Sequence, residues 1–181
     1  MQNALIFLVR TLADLYLLAF LLRFILQWVR AGYRNPLSQL VQKITSPLVV
    51  PARRILPSAG GLDLPTLIVL VVLEGIVTFA LAAIARVVLP VPTFLLYVLL
   101  RLIALTLWFY TMALFVYVLL SWFGDRGGGA MGSVLGDIVE PVLRPVRRIV
   151  PPIAGLDLSP LLVMLVCQAG IIALELPWFL R

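Results

Sequence analysis

"PARRILPSAGGLDL" at positions 51–64 and "PVRRIVPPIAGLDL" at positions 145–158 share nine of fourteen residues at an offset of 94. The match extends outward without a gap. From Pro47 to Leu67, eleven of twenty-one positions are identical to those from Pro141 to Leu161, and Trp28 and Ile44 recur as Trp122 and Ile138. Chance does not produce such a match, so the chain reads as two copies of one unit. The repeated phrase lies between long apolar stretches, and that setting decides the fold class.

Of the 181 residues, 63% are hydrophobic and 12% charged, whereas a soluble domain is ~45–50% apolar and ~25% charged. Polar surface is too scarce to cover a water-exposed globule, so the bilayer must be the main solvent. Crossing a hydrocarbon core of ~30 Å takes about 20 apolar residues as helix. Four stretches qualify: 4–29, 65–89, 93–123 and 159–179. The first lacks a basic leader region and is too long for one, so it is expected to be a span. "LPVPT", between the second and third, favours a tight reversal over one continuous helix.

The expected fold is an all-α membrane protein with four transmembrane helices arranged as two tandem repeats, residues 1–90 and 91–181. Each repeat reads helix, interfacial loop, helix. Two spans per copy make both copies cross in the same direction, so the repeats are parallel, unlike the inverted repeats of many transporters.

The loops, 30–64 and 124–158, carry their own pattern. Apolar residues fall at Leu37, Leu40, Val41, Ile44 and Leu48, and again at Met131, Val134, Leu135, Ile138 and Val142. That spacing marks one face of a helix, too short to span and suited to lie in the interface. The prolines at 47, 51, 141 and 145 are expected to break it into pieces, with Ser46-Pro47 starting a new one. Nine of the fourteen basic residues lie in these loops. The positive-inside rule therefore puts them in the cytoplasm of an inner (plasma) membrane protein, with both termini outside.

Several function classes are disfavoured. Histidine is absent and Cys167 is the lone cysteine, which removes the usual metal ligands, haem ligand and Cys/His nucleophile. "GDRGGGAMGS" at 124–133 follows a membrane helix and lacks the Gly-Lys-Ser/Thr ending of a phosphate loop. No catalytic residue, metal or cofactor is expected, and the chain is read as a non-enzyme. The net charge of +6 points to anionic lipid headgroups and not to nucleic acid.

Three sets of residues stand out. Arg53, Arg54, Arg147 and Arg148 allow two readings. They hold the loops inside by snorkelling to phosphates, at ~1 kcal/mol each, or they form a docking surface for a lipid or a partner protein, since prolines fix the doublets identically twice. Asp63 and Asp157 are placed to cap the following helices, after Gly61 and Gly155 at turns needing positive φ.

The third set is Asp14, Arg23, Glu74 and Arg101, inside the spans together with Arg10 and Glu175. Arg10 and Asp14, four residues apart, share a helix face and are placed to pair locally. Counting about 1.5 Å per residue from the outer face pairs Asp14 with Arg101 and Arg23 with Glu74. Such pairs tie helices together, line a polar path, or meet a partner subunit. They do not repeat: Arg23 corresponds to Tyr117, Asp14 to Trp108 and Glu74 to Gln168.

Trp28, then Asn35-Pro36, a proline-rich stretch ending in Arg-Arg-Ile-x-Pro, and Gly-x-Asp-Leu before an apolar helix resemble the YggT family of small bacterial membrane proteins, which has relatives in cyanobacteria and plastids. The resemblance covers nearly the whole chain. The second copy departs from it, with Gly129-Ala130 in place of Asn35-Pro36 and Ser121 in place of Gln27. The resemblance implies an accessory role linked to osmotic-stress tolerance, to cell division and nucleoid distribution, or to cytochrome maturation in plastids. It implies no catalytic residues. The expected partners are an anionic bilayer and either another membrane protein or further copies of this chain. The alternative is a small oligomeric channel or transport accessory in osmotic or ion homeostasis.

Overall fold

The computed structural model describes residues 1–29, 35–55, 62–122, 125–150 and 157–181. Among them the chain is helical throughout, with no strand: α1 (Gln2–Trp28), α2 (Pro36–Ile55), α3 (Leu64–Ala85), α4 (Val91–Trp122), α5 (Asp125–Ile149) and α6 (Ser159–Ala173). Gly61 and Gly155, expected at turns, lie outside the described residues.

Three helices, α1, α3 and α4, are long and apolar enough to cross a membrane. The fourth stretch is shorter than expected. α6 has 15 residues, about 22 Å of helix against a core of ~30 Å. Its end has a local cause. Glu175 takes φ +45, and Pro177 disfavours helical geometry at Leu176. Beyond the helix end, Phe179 and Leu180 are buried beside Ile6, Leu81 and Ala82.

Helix order sets the packing. α1 lies against α3, and α4 against α6; α2 bridges α1 and α3, while α5 bridges α4 and α6. The halves meet chiefly where α3 packs on α4, with a lesser contact between α1 and α4. Phe20, Leu17 and Leu114 fill the main core with no more than 1% of their surface exposed. Outer faces carry Leu8, Leu12, Phe79 and Leu95, all exposed, as suits helices bathed in hydrocarbon. Lipid tails are as apolar as leucine, so close packing and polar links must hold spanning helices together.

The prolines do not break α2 or α5. Pro47 and Pro51 lie inside α2, and Pro141 and Pro145 inside α5. All four are exposed. Their spacing of four residues puts each pair on one outward face, so the missing N–H bonds fall where water or headgroups can reach the freed carbonyls. The packed faces are Ser38, Val41, Thr45 and Val49 in α2, and Val134, Ile138, Val139 and Leu143 in α5. Leu40, Ile44 and Leu48 of the apolar stripe are exposed beside that face, giving α2 an exposed apolar flank. Ser46 is mid-helix and starts no new piece; its hydroxyl donates to the Gln42 carbonyl at 2.5 Å.

The helix starts differ between halves. Pro36 opens α2, and the Asn35 side chain accepts the Leu37 N–H at 2.9 Å, a local cap that asparagine makes readily. The corresponding Gly129 takes φ +40 inside α5 and bends its path, a conformation that favours glycine.

Candidate functional site

The repeated phrase closes each amphipathic helix onto the next apolar one. In the first half, Arg53 at the end of α2 donates to Asp63 before α3, Nη2 to Oδ2, at 2.9 Å. In the second, Arg147 of α5 donates to Asp157 before α6, Nε to Oδ2, at 2.8 Å. Both pairs are ten residues apart in sequence. The outer arginine of each doublet behaves differently. Arg54 and Arg148 are exposed and form no ion pair among the described residues.

The surroundings of the closures diverge. Asp63 is 1% exposed. It also accepts from the Thr66 hydroxyl at 2.6 Å, and Arg23 Nε lies 3.9 Å from the same oxygen. Its other oxygen, Oδ1, is buried without a hydrogen bond among the described residues. The expected cap is absent here: Asp63 occupies the N-cap position of α3, but its side chain bonds no helix N–H, because arginine and threonine hold it instead. Asp157 does bond a helix-start amide, accepting the Ser159 N–H at 2.9 Å.

Arg147 also reaches Glu140 at 2.6 Å and the Tyr117 hydroxyl, while Arg144 approaches Glu140 at 3.7 Å. Burial works against the charged forms here but loses. The Ser159 amide and Arg147 hold the Asp157 carboxyl below the usual aspartate range despite it. The Tyr117 hydroxyl and the charges of Asp157 and Glu140 likewise outweigh burial and raise Arg147.

The same position touches both closures. Arg23 in α1 and Tyr117 in α4 are 94 residues apart, and each contacts its own arginine–aspartate pair. Arg23 further donates to the Thr45 hydroxyl of α2 at 2.6 Å and to Ser46 at 3.4 Å. It thereby pins α2 to α1. The expected partnership of Arg23 with Glu74 is not formed. Counting depth along the spans treated them as isolated rods and left out α2 and Asp63, which present the nearer partners.

Glu74 belongs instead to a triad around Arg101. The guanidinium of Arg101 in α4 donates from Nε to Glu74 in α3, from Nη2 to Asp14 in α1 at 2.7 Å, and from Nη1 to the Leu180 carbonyl at 2.9 Å. The pairing of Asp14 with Arg101 matches the depth count. Thr78 donates to Glu74 Oε1 at 3.3 Å, whereas Oε2 is buried without a partner among the described residues. One arginine thus ties α1, α3, α4 and the returning C-terminal segment, a concentration of charge that a membrane interior tolerates only when paired. Arg10 pairs with neither; it lies 5.8 Å from the Phe7 ring centroid. Glu175 sits beyond α6 and is exposed.

Sequence reasoning missed Thr45, Thr66, Tyr117 and Glu140. The ten-residue Arg-to-Asp spacing, present twice, was the available signal for the closures. Nothing comparable marks the Leu180 carbonyl. Among the described residues, no group of three or more acidic or cysteine side chains converges where a metal ion could sit. The arrangement can brace helices, and it leaves Arg54 and Arg148 exposed at its outer edge.

The chain matches the CCB3/YggT family model over residues 2–90 and 96–177. It is 35% identical to an uncharacterized protein of Pseudomonas aeruginosa, over 91% of this chain and 85% of that one. It is 38% identical to an uncharacterized protein in the proC 3′ region of Vibrio alginolyticus, over 92% and 91% of the two chains. With the uncharacterized protein YggT of Escherichia coli K12 it shares 34% identity, over 91% and 85%. No solved structure gives a significant match. With its apolar helices and a family match over both halves, this chain is a membrane protein belonging to the CCB3/YggT family.

Proposed function

We propose that this chain is a non-enzymatic accessory or assembly protein of the inner membrane, with four spans in two parallel repeats and the α2 and α5 surfaces in the cytoplasm. Each repeat uses one arginine of its doublet to lock an amphipathic helix in place and offers the other to an anionic headgroup or an acidic partner protein. The observation that carries this reading is the division of labour within both doublets: Arg53 and Arg147 engaged by aspartates, Arg54 and Arg148 exposed. α6 crosses as the fourth span with help from the apolar residues after it, where Leu176, Phe179 and Leu180 are buried.

The buried charges favour bracing over conduction. Arg101 engages two acids and a backbone carbonyl at once, which supports a tie between helices and not an open polar path. The test is extraction in native membrane patches without detergent. Arg54→Gln with Arg148→Gln is expected to lose a stoichiometric second protein or an enrichment in anionic lipid while keeping the wild-type unfolding temperature. Unchanged composition in that double variant would refute docking through the outer arginines. A discrete homo-oligomer with no other subunit would move the reading toward a channel.

A further inference from the structure

A cavity of about 550 Å³ lies between α1, α4 and the α6–C-terminal segment, remote in sequence from both doublets. Its size falls in the ordinary range for ligand sites, ~300–1,000 Å³. Leu18, Leu105 and Ile171 contribute apolar wall, and Leu15 and Ile172 line it while being 59% and 71% exposed. In a membrane those two residues meet hydrocarbon, so the cavity communicates with the lipid phase.

Its charged lining is unbalanced. Arg10, Arg101 and Arg181 face one acid, Asp14, and Glu74 stands behind Arg101. Arg101 is taken up by those two acids and the Leu180 carbonyl. Arg10 and Arg181 form no ion pair among the described residues, which leaves cationic character at a site whose remaining lining is mostly apolar. An apolar slot edged by guanidinium groups, Arg10 within electrostatic reach of Asp14 but bonded to no carboxylate, complements an amphiphile bearing a negative head.

We propose that this cavity binds one phospholipid with an anionic headgroup, its acyl chain against Leu18, Leu105 and Ile171 and its phosphate at Arg10 and Arg181. The bound lipid completes the packing between α1 and α4, which otherwise have only a minor direct contact. The Asp14–Arg101 pair sets the inner limit of the headgroup, with the acyl chain continuing past it to Leu18 and Leu105.

The full chain, purified in a neutral maltoside detergent, is titrated with phosphatidylglycerol and separately with phosphatidylcholine of the same acyl chains. Retained lipid is counted by native mass spectrometry. The expected result is one retained phosphatidylglycerol, with a preference of roughly 30-fold from two basic groups. Arg10→Gln with Arg181→Gln removes the preference, and Ala104→Phe, which narrows the cavity, removes retention of either lipid. Arg54→Gln with Arg148→Gln leaves both unchanged, so this site and the α2/α5 surface fail or succeed separately. Equal retention of the two lipids, an undiminished preference without Arg10 and Arg181, or displacement of the lipid by inorganic phosphate at equal concentration would overturn the proposal. Arg10 and Arg181 lie outside the buried triad, so their replacement is informative even if Ala104→Phe impairs folding.

Discussion

The two closures share a geometry but differ in burial, and that difference is measurable. Asp63 is 1% exposed and compensates both Arg53 and the 8%-exposed Arg23. Replacing it with alanine removes the carboxylate that faces a buried guanidinium. Removing one partner of a buried ion pair costs about 3–5 kcal/mol. Arg23 keeps its bonds to Thr45 and Ser46, which places Asp63→Ala near the lower end, at about 3 kcal/mol. Asp157 has a side chain 33% exposed, and its partner Arg147 retains Glu140. Asp157→Ala therefore resembles loss of a surface ion pair plus a cap, about 1 kcal/mol. At ~2–4 °C per kcal/mol for a chain of this size, Asp63→Ala should lower the unfolding temperature by about 6–12 °C and Asp157→Ala by about 2–4 °C. Thermal unfolding in one detergent or nanodisc preparation reads both. Equal losses, or the larger loss at Asp157, would refute the argument that the neighbouring Arg23 makes the first closure structurally dominant.

Other outcomes follow from the same geometry. The depressed Asp157 pKa contributes stability that is present above the ordinary aspartate value and is lost as pH falls through the folded one. Wild type should therefore lose unfolding temperature below pH ~4, and Asp157→Asn should show a smaller fall across that window; identical acid limbs would contradict the assignment. Arg101→Met should cost about 3–5 kcal/mol by stranding Asp14 and Glu74. Adding Asp14→Asn and Glu74→Gln should restore part of that loss, and a purely additive triple variant would exclude the triad as a coupled unit. Asn35→Ala should cost about 1 kcal/mol through loss of the α2 cap, read by denaturation, with no effect from the same assay placing the cap's weight elsewhere.

The repeated phrase and the apolar stretches were legible because composition, periodicity and spacing are local properties. So was the Asp14–Arg101 pair, since both residues lie on long helices whose depth counts from the same end. What escaped depends on packing between distant segments. Whether Pro47 and Pro51 break a helix depends on which face they occupy, and only contact with α1 and α3 settles that their face is the outer one. A linear count of depth points Arg23 at Glu74 because it omits the helix that folds back beneath it. α6 ends early because of Glu175 and Pro177, a signal present in the sequence but outweighed by the apolar residues around it. The Leu180 carbonyl carries no side-chain signature at all.

In the proposed arrangement two equivalent units cross the membrane in the same direction and present their outer arginines on one side. Single cysteines test it directly, in a Cys167→Ala background that removes the native thiol. Arg54→Cys, Pro90→Cys, Arg148→Cys and Trp178→Cys are each labelled in intact cells and in inverted membranes with an impermeant maleimide. Labelling is expected at 54 and 148 only from the cytoplasmic side, and at 90 and 178 only from outside. Labelling at 178 from the same side as 148 would show that α6 does not cross, and labelling at 54 and 148 from opposite sides would contradict the parallel arrangement itself.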